Sequence, residues 1–184
     1  MFFISTIFNE KAIINVVRIE VGVLAAWTPV QNATVTSYAS ERYPQVFEIP
    51  STRILTVAPK RTFWEKVTIL HKEAFRGDNK FPSRYSRHYY DLFCMDSTEV
   101  KEEAYTDLDL LDRVVKFKSK FYHSASAHYD LAKPGSMRLM PPVDCIDIIR
   151  SDYEHMKNMI FGEQPGFDDI MDGMHRMEQE NNDL

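Results

Sequence analysis

The chain of 184 residues carries a formal net charge of -5, and 44% of its residues are hydrophobic and 12% aromatic. This composition excludes a disordered chain, and the length suits one domain or one domain with an extension. The negative charge argues against a general nucleic-acid coat protein, whose affinity comes from neutralising phosphates, but it leaves room for a local basic patch.

The cysteines and the first residues bear on the compartment of the protein. Cys94 and Cys145 lie far apart in the sequence, which is not a disulfide framework and favours a reducing compartment. Residues 1–8 are apolar but are followed at once by polar residues 9–11, so they are too short to span a membrane and lack a signal-peptide layout. The sequence predicts a soluble cytoplasmic protein without a membrane partner.

The first third of the chain has the pattern of short β-strands. In residues 12–26, β-branched residues alternate with Glu20 and other polar residues, which is typical of a strand with one buried face. Residues 51–57 form a second predicted strand, which Pro59 ends. Residues 33–43 hold a short segment that the pattern does not assign.

From Pro59 onward the pattern is helical. Pro59 suits the first turn of a helix, and apolar residues then recur on one face as far as Ala74. This helix is predicted to end near Gly77 in a left-handed C-cap, and a second helix is predicted to begin near Ser83 or Arg84. Further predicted helices are a short and a longer one within 99–122 with Asp107 as a cap, one at 143–161 and one at 168–181.

These elements predict an α+β fold. Short N-terminal strands, belonging to a partial sheet, occupy residues 1–58, and a predominantly helical region occupies residues 59–184. Between the helices, residues 123–142 contain strong turn signals at Pro134-Gly135 and Pro141-Pro142. A loop of this length inside a compact domain is often functional.

Lys66 lies at the edge of the apolar face of the first predicted helix, with Glu73 seven residues further on. A lysine in this place can bind a phosphate group as a point charge. The alternative is a lysine whose stem covers apolar surface while its ammonium group stays in water. Spacing alone favours the alternative, because exposed lysines are the rule on helix surfaces.

Arg84, Arg87, His88 and Asp91 form one polar stripe of the second predicted helix, at spacings of three and four. A carboxylate among cations stays ionised, and it can accept a proton or bind a metal. The alternative is an ordinary surface pair between Arg87 and Asp91, worth roughly 0.3–0.5 kcal/mol. Spacing alone again favours the alternative.

Other known chemical motifs are absent from the sequence. It contains no glycine-rich phosphate loop, no serine nucleophile elbow and no paired-cysteine motif. His123 and His128 lie five residues apart, but nothing near them completes a zinc site. Glu20 is a carboxylate on a predicted strand and suits a metal site, with an outward-facing strand residue as the alternative.

Five stretches of the sequence together resemble the AbiEii toxin family, the nucleotidyltransferase-like proteins of type IV toxin–antitoxin systems. The resemblance covers roughly residues 16–184, and the helix-pair motif within it is fairly specific. The stretches are Val17-Arg18-Ile19-Glu20-Val21-Gly22, Arg61-Thr62-Phe63-Trp64-Glu65-Lys66, Ile69-Leu70-His71, Arg84-Tyr85-Ser86-Arg87-His88-Tyr89-Tyr90-Asp91-Leu92 and Asp130-Leu131-Ala132-Lys133-Pro134-Gly135.

The resemblance implies roles for residues of the helix pair. Lys66 matches the family's helix lysine and would contact the nucleotide and neutralise phosphate charge. Asp91 matches the last aspartate of the family, which is needed for activity, and would act as a base or hold the pocket. Arg84, Arg87 and His88 would contact the substrate.

The resemblance also implies ligands and partners. These are a nucleoside triphosphate, Mg²⁺ with Glu20 as one carboxylate ligand, an acceptor such as tRNA, and a cognate antitoxin protein.

The chain departs from the family in its first part. The family carries a Gly-Gly turn that cradles the triphosphate and a Ser-x-Asp-x-Asp strand that binds the catalytic metal, and the sequence contains neither. Residues 1–15 resemble a different start joined to the back half of the family fold. The expected function is therefore the C-terminal portion of an AbiEii-like nucleotidyltransferase toxin that is inactive alone. The alternative is a non-catalytic remnant or binding module that interacts with the antitoxin.

Overall fold

The computed structural model describes residues 28–77 and 81–184. Within them the predicted α+β class is confirmed, with one small antiparallel sheet and a helical majority. The predicted strand at 12–26, including Glu20, lies outside the described residues. The described strands and α-helices are β1 (Val30–Thr36), α1 (Tyr38–Arg42), β2 (Ser51–Val57), α2 (Pro59–Ala74), α3 (Ser86–Asp96), α4 (Glu99–Tyr105), α5 (Leu108–Phe121), α6 (Ile146–Met156) and α7 (Phe167–Asp183).

Strands β1 and β2 form an antiparallel hairpin in which Val30 lies opposite Val57 and Thr36 lies opposite Ser51. The prediction of β2 is confirmed with its bounds, whereas β1 was not assigned. Six of the seven residues of β1 are exposed, so the strand lacks the alternation of buried and polar positions that identifies a half-buried strand.

Helix α2 lies at the centre of the hydrophobic core, where it packs against α3, α4 and α5. Its apolar face is fully buried at Phe63, Trp64, Val67 and Leu70, and each such side chain contributes about 1.5–3 kcal/mol through removal from water. The indole Nε1 of Trp64 donates a hydrogen bond to the carbonyl oxygen of Ala104 at 3.2 Å. This packing fixes the position of every polar side chain that α2 carries at its edges.

The end of α2 differs from the prediction. The helix ends at Ala74 rather than near Gly77, and Phe75 is its C-cap. Gly77 does not adopt a left-handed conformation; among residues 28–77 and 81–184, the glycines with positive φ are Gly135 and Gly162. The predicted left-handed C-cap at Gly77 was therefore wrong.

The start of α3 also differs from the prediction, since the helix begins at Ser86. Arg84 has a φ of 64°, which is a left-handed conformation and incompatible with a right-handed helix. The carboxylate of Asp152, on α6, accepts hydrogen bonds from the backbone N–H groups of Arg84 at 2.7 Å and Ser86 at 3.0 Å. A side chain from another helix thus satisfies the free N–H groups at this helix start.

We expect the replacement of Asp152 by alanine to lower the free energy of unfolding by about 1–2 kcal/mol, because it removes a cap and leaves two N–H groups without an acceptor. Urea unfolding measures this change. Asp168→Ala is the matched control, since Asp168 is 79% exposed and pairs only with Arg150 at the surface. Equal losses in the two variants would contradict the capping role of Asp152.

The predicted loop at 123–142 is packed against the helices, and Met137 and Leu139 within it are buried. It packs against α2, where the Nδ1 of His71 accepts the backbone N–H of Arg138 at 3.0 Å. On α7, Glu178 accepts the backbone N–H groups of Leu139 and Met140. The loop therefore connects the central helix to the last one.

The remaining predicted helices are confirmed within a few residues, as α4, α5, α6 and α7. Asp107 is the N-cap of α5, where its Oδ1 accepts the backbone N–H of Leu110 at 3.1 Å. Of the helices in the described part of the chain, none combines the length and the apolar composition needed to cross a lipid bilayer.

Candidate functional site

Lys66 on α2 and Asp91 on α3 form an ion pair across the two helices. The Nζ of Lys66 donates a hydrogen bond to Oδ2 of Asp91 at 2.5 Å, and the side chains are 17% and 34% exposed. The alternative pairing of Arg87 with Asp91 was wrong, because Asp91 pairs with Lys66 instead. The pair holds an ammonium group in a fixed place while leaving part of it accessible to a ligand.

His88 lies one turn before Asp91 on α3 and is buried. Its pKa is lowered to about 4, chiefly by burial and next by the positive charges of Lys66 and Arg87. Its Nδ1 is buried without a hydrogen-bond partner among the described residues. At neutral pH a neutral imidazole therefore lies beside the Lys66–Asp91 pair.

We expect the free energy of unfolding to fall as the pH falls from 6.5 towards 4. In this range the unfolded chain takes up a proton at His88 and the folded chain does not, so protons favour the unfolded state. Burial also lowers the pKa of His71, which adds a change of the same sign. Urea unfolding at several pH values measures this change. The free energy of unfolding should depend less steeply on pH for His88→Gln than for the original chain.

The control for this slope is His123→Gln, which changes an exposed histidine after α5. That variant should keep the original pH dependence. If the free energy of unfolding of His88→Gln depended on pH as steeply as that of the control, His88 would not titrate in this way.

The other predicted site residues lie in different places. Arg87 is exposed on α3, close enough for its charge to act on His88. Arg84 is exposed and lines a separate cavity of about 460 Å³ beside α6, together with Asp152 and His155. The structure thus brings Lys66, Asp91, His88 and Arg87 together, and it places Arg84 at another cavity.

The described residues do not form a magnesium site. Nowhere in 28–77 and 81–184 do three His, Cys, Asp or Glu side chains converge on one point. Asp91 offers a single carboxylate, and its Oδ2 already binds the ammonium group of Lys66, whereas Mg²⁺ requires several oxygen ligands. Glu20, the predicted metal ligand, lies outside the described residues.

Lys118 on α5 belongs to the same region and was not predicted as a site residue. Its Nζ donates to the backbone oxygen of Glu65 at 2.7 Å, and its pKa is lowered to about 7, chiefly by burial. The positive charge of Lys66 is a further cause of this lowered pKa, and the charge of Lys118 in turn helps to lower the pKa of His88. The signal in the sequence is a lysine within the inward stripe of Leu111 and Val114, where an apolar residue is the rule.

Comparison with known proteins identifies the family. The family model described as nucleotidyl transferase AbiEii toxin, type IV toxin–antitoxin system, matches residues 2–173. The chain belongs to the AbiEii family. No curated protein and no solved structure matches the chain significantly.

The AbiEii match confirms the resemblance and assigns the chain to a family of nucleotidyltransferase toxins. It also extends the resemblance, because it begins at residue 2 rather than near residue 16. Residues 2–15 therefore lie within the match instead of before it. Nucleotidyltransferases of this kind generally use a divalent metal ion, and the AbiEii assignment implies a nucleotide substrate and an antitoxin in general terms.

Proposed function

We propose that this AbiEii-family chain supplies the lysine–aspartate part of a nucleotide site, in which Lys66 binds a phosphate group of a nucleoside triphosphate. The observation that carries the proposal is the 2.5 Å hydrogen bond between Lys66 and Asp91. It joins the two side chains that match the family's helix motifs, although they are 25 residues apart in the sequence. An ammonium group fixed by a carboxylate and partly exposed is suited to phosphate binding.

In this proposal Asp91 positions the lysine. Its contact with Lys66 is direct, which supports a role in holding the pocket more strongly than a role as a base. Arg87, exposed on the same helix, adds a second positive charge for phosphate, and neutral His88 lies beneath the pair. Arg84, exposed at the cavity beside α6, would contact the acceptor, for which tRNA is the candidate.

The proposed reaction is nucleotidyl transfer. A hydroxyl group of the acceptor gives up its proton to solvent and attacks the α-phosphorus, a new P–O bond forms, the bond to the bridging oxygen breaks and pyrophosphate leaves. Metal-assisted transfer needs carboxylates that hold the ion, and the sequence lacks the Ser-x-Asp-x-Asp motif and the Gly-Gly turn. We therefore propose that the chain binds nucleotide but does not transfer it alone.

The test is a transfer assay with each nucleoside triphosphate, radiolabelled at the α-phosphate, and tRNA as the acceptor. We expect no transfer by the chain alone, and transfer when it is mixed with a segment of another family member that carries the two missing motifs. Lys66→Ala should abolish the restored transfer. Transfer by the chain alone would contradict the proposal that it is inactive by itself. A restored activity that tolerates Lys66→Ala would contradict the proposal that Lys66 binds the phosphate group.

A second function is a binding module for the cognate antitoxin. It is favoured by the apolar surface around β1 and β2, where Val46, Ile49 and Leu55 are 73%, 76% and 63% exposed. Exposed apolar patches of this kind are typical of interaction sites. Co-purification with the antitoxin, lost in an Ile49→Lys, Leu55→Lys double variant, would support this function, and unchanged co-purification would contradict it.

A further inference from the structure

A cavity of about 460 Å³ lies between α2 and α5 and is lined by aromatic and charged side chains. Its volume falls in the range of small-molecule sites, which combine an apolar lining with a few polar groups. The aromatic lining residues are Tyr85, Phe117, Tyr122 and Tyr129, and the charged ones are Glu65, Lys72, Glu73 and Lys118.

Glu73 lines this cavity and has one carboxylate oxygen without a hydrogen-bond donor among the described residues. Its side chain is 1% exposed, and Oε2 accepts a hydrogen bond from Nε of Arg76 at 2.5 Å. Oε1 is buried and has no hydrogen-bond partner among the described residues. The Nζ of Lys72 lies 3.9 Å from it, which is too far for a hydrogen bond. A buried carboxylate oxygen is costly unless it receives a donor, and a ligand with an N–H group would provide one.

The cavity is next to the proposed phosphate site. Glu73 follows Lys66 by seven residues on α2, which is nearly two full turns, so both lie on one side of the helix about 10 Å apart along its axis. Lys118 lines the cavity, and its Nζ donates a hydrogen bond to the backbone oxygen of Glu65, the residue before Lys66. A ligand that extends from Glu73 to Lys66 would therefore pass beside Lys118, as a nucleotide does with its base at one end and phosphates at the other.

We infer that this cavity takes the nucleobase of the nucleotide, stacked against its aromatic side chains, with Oε1 of Glu73 accepting a hydrogen bond from a base N–H. The inference rests on the proposed function and adds a base site to it. Aromatic rings stack on every nucleobase, whereas the carboxylate selects bases that offer a donor. Lys72 and Lys118 also line the cavity, and their positive charges would balance the negative charge of the nucleotide's phosphates.

The test separates the base from the phosphates. Ribonucleosides and inorganic tripolyphosphate are titrated separately into the isotope-labelled chain and followed by NMR. We expect nucleosides to shift the aromatic signals of Tyr85 and Phe117, and tripolyphosphate to shift signals around Lys66. Uridine methylated at its ring N–H and cytidine dimethylated at its amino group, which offer no base N–H, should bind about tenfold more weakly than their parents.

Variants give an independent test. Glu73→Gln should weaken nucleoside binding about tenfold and leave tripolyphosphate binding unchanged, whereas Lys66→Ala should do the reverse. Glu163→Gln, an exposed change after α6, is the control and should alter neither. Tripolyphosphate binding without nucleoside binding, or equal binding of the methylated nucleosides, would overturn the base site and leave the proposed function standing. Failure of both ligands to bind would overturn both.

Discussion

Lys66→Ala is expected to weaken the binding of nucleoside triphosphates by at least about tenfold. A hydrogen bond to a charged group contributes about 1.5–3 kcal/mol, and Lys66 is the ammonium group that α2 and α3 hold together with Asp91. Isothermal titration with each of the four nucleoside triphosphates measures the change. The loss should be similar for all four, because phosphate contacts do not distinguish bases.

The control for this variant is Lys157→Ala. Lys157 also pairs with a carboxylate, that of Glu154 at 2.7 Å. It follows α6 in the chain and lines neither the cavity between α2 and α5 nor the cavity beside α6. Its replacement should leave nucleotide affinity unchanged. Equal losses for Lys66→Ala and Lys157→Ala would show a general charge effect and contradict a phosphate site at Lys66.

His71→Ala is expected to lower the free energy of unfolding by about 3 kcal/mol, the largest change in stability that we predict. His71 is fully buried; its Nδ1 accepts from Arg138, and its Nε2 lies 3.0 Å from the backbone oxygen of His128. The variant loses two hydrogen bonds of about 1 kcal/mol each and leaves a cavity beside Phe75.

Urea unfolding of His71→Ala should be compared with that of His155→Ala. His155 is exposed on α6, and its Nδ1 lies 2.6 Å from the backbone oxygen of Ser151 within the same helix. Because this contact is local and solvent-exposed, the control should change stability by less than about 0.5 kcal/mol. A His71→Ala change no greater than that of the control would mean that the loop after α5 is held by other contacts.

The sequence predicted the elements whose signals are local. The apolar spacing from Phe63 to Leu70 predicted α2 because a buried helix face repeats every three or four residues. Asp107 predicted the start of α5, since a cap bonds to N–H groups within its own turn. The family motifs also placed Lys66 and Asp91 on two neighbouring helices, where the structure describes them.

The features that were missed depend on distant residues. The start of α3 is set by Asp152, which lies 66 residues from Ser86, so spacing within the helix could not locate it. The partner of Asp91 was expected four residues away at Arg87, but tertiary packing brings Lys66 closer. The cavity lined by Glu73 and Lys118 exists only after α2 and α5 pack together. The position of Lys118 in an inward stripe marks the residue as unusual, but the sequence of neither helix indicates the cavity.

The hydrogen bonds between α7 and the loop bear on how this protein should be produced for experiments. Glu178 and Asn182, which hold Leu139 and Met137, lie beyond residue 173, where the family match ends. A version shortened to the matched region would lose both contacts and the buried Met177. The loop at 123–142 would keep its contacts with α2 and α5 but lose its hydrogen bonds to α7. The family boundary is therefore the wrong place to end a recombinant fragment.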